Sequence, residues 1–161
     1  MAGIDYFNGL LYGVPAVRLS KLQRLQYSAA RLITHTLRYC HITPLLLVLH
    51  WLPAKFRICL KIAEISFKTI HNMGPAFLSN LINIKQCSRY NLLSFAGVIL
   101  QDPTAKFKCT LGDRSFTAAA PKIWNGLPDY IRKENDLIFL RDSLRRTILK
   151  RPIATCLKLL F

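Results

Sequence analysis

The chain has 161 residues, 52% of them hydrophobic, with a mean hydropathy of +0.23; that length suits one domain with a real core, and that composition excludes a disordered tail. Lys and Arg number 23 against 8 Asp and Glu, a formal charge of +15, spread as +7 over residues 1–80 (9 basic, 2 acidic) and +8 over residues 81–161 (14 basic, 6 acidic), so it is no terminal appendage. Such a potential attracts polyanions, nucleic acid first and acidic membrane surface second, unless it serves only to keep a sticky protein in solution.

Residues 4–12 read as a short helix stopped by Gly13 and Pro15. Ser20 is expected to cap the next helix, which runs to about Thr34 with Leu22, Leu25, Ala29, Leu32 and Ile33 on one face. Lys21, Arg24, Arg31, His35 and Arg38 fall on another face, and Arg24, Arg31 and Arg38 form a row if the helix reaches Arg38. Thr43 can cap a helix that begins at Pro44, and Leu45 to Leu49, apolar on every side, imply burial all round. Trp51-Leu52-Pro53 ends it. After Pro53, Arg57, Lys61, Glu64, Lys68 and His71 make a single polar stripe on an otherwise apolar helix, which marks a central core element ended by Gly74-Pro75. A short helix follows from Pro75 to Ile82.

Residues 83–110 lose the helical period. Val98-Ile99-Leu100 and Phe107-Lys108-Cys109, separated by Asp102-Pro103, suggest a small β-hairpin within about 97–110. Helix returns from Asp113 to Trp124, with Pro121 bending it, and Asn125-Gly126-Leu127-Pro128 is a turn. The last helix begins near Asn135 or Asp136. It carries Leu137, Leu140, Leu144 and Ile148 on one side, and Arg141, Arg145, Arg146 and Lys150 on the other, and ends at Pro152. The expected fold is mostly α: a compact multi-helix bundle, with residues 1–150 as a single domain and 151–161 as a short tail.

Two strings stand out, His41 through Pro53 with the pair His50-Trp51, and Gly112-Asp113-Arg114-Ser115-Phe116 followed by Ala118 through Pro128 with Trp124. Asp5-Tyr6-Phe7-Asn8, Leu11 through Pro15, Leu22 through Gln26, Ala29 through Ile33, Arg57-Ile58 and Lys61-Ile62 fall in order around them. Taken as an ordered set over roughly residues 4–150, these resemble the C-terminal region, after the palm and thumb, of LINE-type non-LTR retrotransposon reverse transcriptases; Phe7 stands where many relatives carry a small residue or cysteine. The resemblance implies structural roles for His50, Trp51, Pro53, Gly112, Asp113, Arg114, Trp124 and Pro128. It also implies support of target-primed reverse transcription rather than the chemistry itself, since the polymerase's paired aspartates occur nowhere here: the chain has no Asp-Asp pair. A chain that starts at Met1 already inside the family pattern is expected to be a truncated or decayed copy.

Other chemistries are weakly supplied. Cys40, Cys59, Cys87, Cys109 and Cys156 form no CxxC pair, which argues against both a disulfide framework and a zinc knuckle, and Cys59 reads as a small core residue. Asp113 and Asp136 suit helix starts, and Glu64 lies at pairing distance from Lys61 and Lys68 on its helix. No G-x-S-x-G elbow is present, and no catalytic centre, metal or cofactor is expected. The histidine of His50-Trp51 is expected to be satisfied by backbone while Trp51 and Trp124 fill core, the rival role being a stacking platform for a base. The expected nucleic-acid contacts are Lys21, Arg24, Arg31, Arg38, Arg141, Arg145, Arg146 and Lys150, gripping phosphates of RNA or DNA without sequence preference. The polymerase portion of a parent protein is a second expected partner. The longest strictly apolar run, Leu45 to Leu49, is too short for a membrane span. Placement in nucleus or cytoplasm follows from ancestry. The rival readings are a protein-docking module, a peripheral membrane binder and a non-functional relic.

Overall fold

In a computed structural model of the chain, residues 8–85, 98–103 and 112–150 are described, with side chains to residue 147. The secondary structure is mostly α-helical, with no β-sheet among the described residues. Tertiary contacts group the chain into two compact units, Met1–Ile58 and Cys59–Phe161, where the sequence reading treats 1–150 as one domain.

The first unit opens with a 3-10 turn at Asn8–Leu11, the described remainder of the helix expected over 4–12. Helix α1 spans Ala16–Ile33 and starts after Pro15 rather than at Ser20. Ser20 is one turn inside, and its hydroxyl donates back to the Val17 carbonyl (2.8 Å). The expected core face is also corrected: Gln26 and Ala30 are the buried residues of α1, while Leu25, Leu32 and Ile33 are exposed. A glutamine pair accounts for this orientation. The amide Nε2 of Gln26 donates to the Leu52 carbonyl (2.8 Å), Gln23 Nε2 donates to Gln26 Oε1 (3.0 Å), and Gln23 Oε1 accepts from the backbone N–H of Ala54 (2.8 Å). Ala54 is the first residue of helix α3, Ala54–Ile70, so Gln23 satisfies one of the donors that a helix start leaves orphaned.

Between these helices lies α2, Ile42–Val48, packed on α1. It begins one residue before Thr43, which therefore does not cap it, and His41 at the N-cap makes no side-chain cap bond. Its leucines are not buried all round as expected: Leu46 is buried, while Leu47 and Val48 are exposed. Seven residues hold one helix-facing contact strip, and the rest of the surface faces outward. Leu46, Leu52, Phe56, Ile58 and Ala30 are the buried apolar residues of this unit.

Three helices stop in the same way. His35 (φ 48°), His50 (φ 51°) and Asn72 (φ 54°) sit in the left-handed region just past the ends of α1, α2 and α3. In each case the following N–H bonds back across the last turn: Thr36 to the Arg31 carbonyl (3.2 Å), Trp51 to Leu46 (2.8 Å) and Met73 to Lys68 (2.8 Å). This is the usual left-handed helix stop with histidine or asparagine in place of glycine. Asn72 thus ends α3 before Gly74-Pro75 is reached.

In the second unit the expected polar stripe of α3 holds at Lys61, Lys68 and His71, which reach the surface, but not at Glu64, which is buried. Cys59, Leu60, Ile62, Ala63 and Phe67 are buried, and Ser66 and Thr69 satisfy their hydroxyls on the Ile62 and Ile65 carbonyls of the same helix. The next helix, α4, is only Ala76–Ser79. The strand-like Val98–Leu100 pairs with Asn83–Lys85: Ile84 and Leu100 form an antiparallel bridge, with Lys85 N–H on the Ile99 carbonyl (2.9 Å) and Gln101 N–H on Asn83 (2.8 Å). Phe107–Cys109, the partner expected from sequence, lies outside the described residues.

Gly112–Arg114 forms a 3-10 turn, and α5 runs Phe116–Asn125 with Ser115 before it, continuing through the buried Pro121. The end of α5 ties down residues 98–101. Trp124, 1% exposed, donates from Nε1 to the Val98 carbonyl (2.8 Å). Asn125 grips both backbone groups of Leu100, accepting its N–H (3.0 Å) and donating to its carbonyl (2.9 Å). The Trp124 ring packs against Phe67 at 6.4 Å between centroids with a 47° tilt, a favoured aromatic geometry. A short helix unforeseen from sequence, α6 (Asp129–Arg132), starts after Pro128 and packs on α7, Leu137–Lys150. Asp136 opens α7 as expected, its carboxylate accepting the Ile138 N–H (2.9 Å).

Gln26→Ala is expected to lower unfolding stability by about 1–3 kcal/mol, the cost of two lost hydrogen bonds, one of the two donors to the Leu52 carbonyl and the acceptor of Gln23 Nε2, read as a drop in the urea midpoint of the helical circular-dichroism signal. His50→Gly is expected to move the same midpoint up, by at most about 1 kcal/mol, because glycine occupies the left-handed region without penalty.

Candidate nucleic-acid interface

Between Asn8 and Ile58 the chain has no Asp or Glu, against Arg18, Lys21, Arg24, Arg31, Arg38, Lys55 and Arg57. All of these residues are in the first unit. The start of α1 after Pro15 puts Arg18, Lys21 and Arg24 on its first three turns, all exposed. Steps of three residues on a 3.6-residue helix make a slanting row. Arg18 was not among the candidates from sequence because α1 was expected to start at Ser20; Pro15, which suits a helix start, was the signal for the earlier boundary.

Two other expected members differ from that row. Arg31 is half-buried, and its Nε is enclosed without a hydrogen-bond partner. Arg38 is exposed but lies beyond the end of α1 at Ile33, so the expected Arg24–Arg31–Arg38 row along one helix does not form. The left-handed His35 turns the chain before Arg38 is reached.

In the second unit four cations, Lys61, Lys122, Arg132 and Arg141, meet carboxylates. Arg141 Nε donates to Glu64 Oε1 at 2.6 Å, and Lys61 Nζ approaches the other oxygen at 4.0 Å. Glu64 is buried; a carboxylate there needs charged partners, since desolvating it alone is costly. The Glu64 hydrogen bond and its charge hold the Arg141 guanidinium above its already high ordinary value, so it stays charged throughout the physiological range. Arg141, expected as a phosphate contact, is half-exposed and engaged by Glu64. Arg132 pairs with Asp129, and Lys122 stands 3.9 Å from Asp113 on the surface. Arg145 and Arg146 are exposed on α7, and Lys150 is its last residue.

The motif residues also find physical roles. His50 supplies the helix stop and is exposed, and Trp51 gives its N–H to that stop but is only half-buried, which corrects the expectation that its ring fills the core. Pro53 precedes α3, and its carbonyl accepts the Phe56 N–H (3.0 Å). Gly112, Asp113 and Arg114 form the turn against α5, Trp124 is core, and Pro128 begins α6.

No group of three or more His, Cys, Asp or Glu that could hold a metal ion occurs among the described residues, and no described helix is long and apolar enough to cross a membrane. No family model, curated protein or solved structure matches the chain.

Arg141→Ala is expected to cost about 1–3 kcal/mol by leaving Glu64 buried with only the distant Lys61 amine. Arg145→Ala, on the exposed side of the same helix, should stay within about 0.5 kcal/mol of the parent. Paired urea titrations measure the contrast.

Proposed function

We propose that this chain is a non-catalytic nucleic-acid-binding piece akin to the C-terminal region of a LINE-type reverse transcriptase, gripping RNA or DNA in support of target-primed reverse transcription. The observation that carries the reading is the acid-free stretch from Asn8 to Ile58 with Arg18, Lys21 and Arg24 exposed on one helix. Guanidinium and ammonium groups presented without nearby carboxylates meet phosphate oxygens directly, and such contacts position a strand without reading its bases. The ordered motif strings support the ancestry, and with it a polymerase body as partner and a nuclear or cytoplasmic setting. Trp124 is enclosed in the core, which favours phosphate contact over base stacking through that ring.

A second reading, a docking module, is favoured by a separate observation: Val17, Leu25 and Leu32 of α1 are all exposed.

Binding to mixed-sequence RNA and duplex DNA is expected in the range of about 10⁻⁴–10⁻⁶ M, falling steeply with salt, with each neutralised phosphate adding about −0.9 to the slope of log K against log salt on duplex DNA. Neutralising Arg18, Lys21 and Arg24 together to Gln should flatten that slope by about 2–3, whereas Arg141→Gln should leave it unchanged. A slope near zero for the parent chain, followed by fluorescence anisotropy, sinks the proposal.

A further inference from the structure

The exposed side of α1 holds an unused seam. Leu22, Leu25, Ala29 and Leu32 recur at spacings of three, four and three, the register with which two helices interlock side by side. Leu25 is 66% and Leu32 75% exposed. The orientation is enforced from the other side, where Gln23 and Gln26 spend their amides on Ala54 and Leu52. Leu22 and Ala29 are half-buried at the edge of this face; a helix that exposes Leu25 and Leu32 while burying Gln26 departs from the ordinary partition of apolar and polar side chains.

Charge selects the occupant. Arg18 lies on the seam one heptad before Leu25, and Lys21 flanks it beside Leu22. With no acid anywhere from Asn8 to Ile58, the seam's flanks present only positive charge. A second copy of this helix would set Arg18 and Lys21 against their own kind, which opposes self-association. A bilayer surface favours a wide apolar face with aromatic anchors, but the seam is narrow, is interrupted by Arg18, and the only aromatic residue of α1, Tyr27, is half-buried on another side. Nucleic acid gains nothing from leucine, since bases stack on aromatic rings.

We infer that this face of α1 docks an acidic amphipathic helix of a partner protein, with leucines at alternating three- and four-residue spacing and Glu or Asp on both flanks. Leu25 and Leu32 supply the apolar contact, and Arg18 and Lys21 supply the selection by charge. The inference does not depend on nucleic-acid binding.

The test uses the full chain and three fluorescein-labelled helical peptides of 21 residues, a probe length set by design at about six turns: leucine seam with Glu flanks, leucine seam with Lys flanks, and serine seam with Glu flanks. The leucine–Glu peptide is expected to bind about tenfold or more tightly than either of the others. The double variant Leu25→Ser and Leu32→Ser should lose that binding about tenfold, with helix content by circular dichroism and affinity for duplex DNA unchanged. Equal binding of the serine–Glu peptide would reduce the effect to polyanion attraction and overturn the inference. So would a leucine-dependent dimer seen by sedimentation, or leucine-dependent binding to phosphatidylserine vesicles without binding to the leucine–Glu peptide.

Discussion

Two glutamine amides, one buried at Gln26 and one half-buried at Gln23, set the character of the first unit. A primary amide removed from water must find partners, and Gln26 and Gln23 find theirs on the backbone at Leu52 and Ala54, where the chain passes from an irregular segment into a helix. The Leu52 carbonyl also accepts from Arg57 Nε (3.0 Å), so both of its lone pairs are engaged. Once α1 is rotated to deliver these bonds, Leu25 and Leu32 have nowhere to go but outward. The exposed apolar seam and the row of cations are thus two results of one hydrogen-bonding requirement.

The second unit is held by a different device. The last two residues of α5 work as a clamp: Trp124 anchors Val98 while filling core, and Asn125 imitates a neighbouring strand by engaging both polar groups of Leu100. This holds a segment that, among the described residues, forms a single backbone bridge, to Ile84. Glu64 is the remaining polar commitment, a buried carboxylate on a helix otherwise given to apolar packing and neutralised from α7 by Arg141. Neither device would be stable with one half missing, because each leaves a buried polar group behind.

Where periodicity and burial agreed, the sequence was an accurate guide. The stripe of α3 is regular and most of its remaining residues are apolar or small, a pattern that buries them; the same holds for Leu140 and Leu144 of α7 and for the Asp136 cap. Where a helix had a choice of faces, hydrophobicity misled. The leucines of α1 look like a core face until Gln26 is seen to bond a carbonyl 26 residues away, a contact with no local signature. Helix α2 has the same difficulty in shorter form, since a run of leucines gives no hint of which one is enclosed. Of the residues expected at the interface, Lys21 and Arg24 are exposed on α1 as the pattern put them, Arg38 is exposed but beyond the left-handed stop at His35 and so off the helix row, and Arg141 pairs with Glu64, an acid distant in sequence.

The length of α1 has a bearing on what its charges can do together. Arg18 and Arg31 are thirteen residues apart, about 20 Å along the axis, while mobile ions at physiological strength damp an exposed charge's field within about 8 Å. The two ends of the helix are therefore electrostatically deaf to one another. A compact anion spans only one end of such a helix; the two ends can be bridged only by something long and continuously charged.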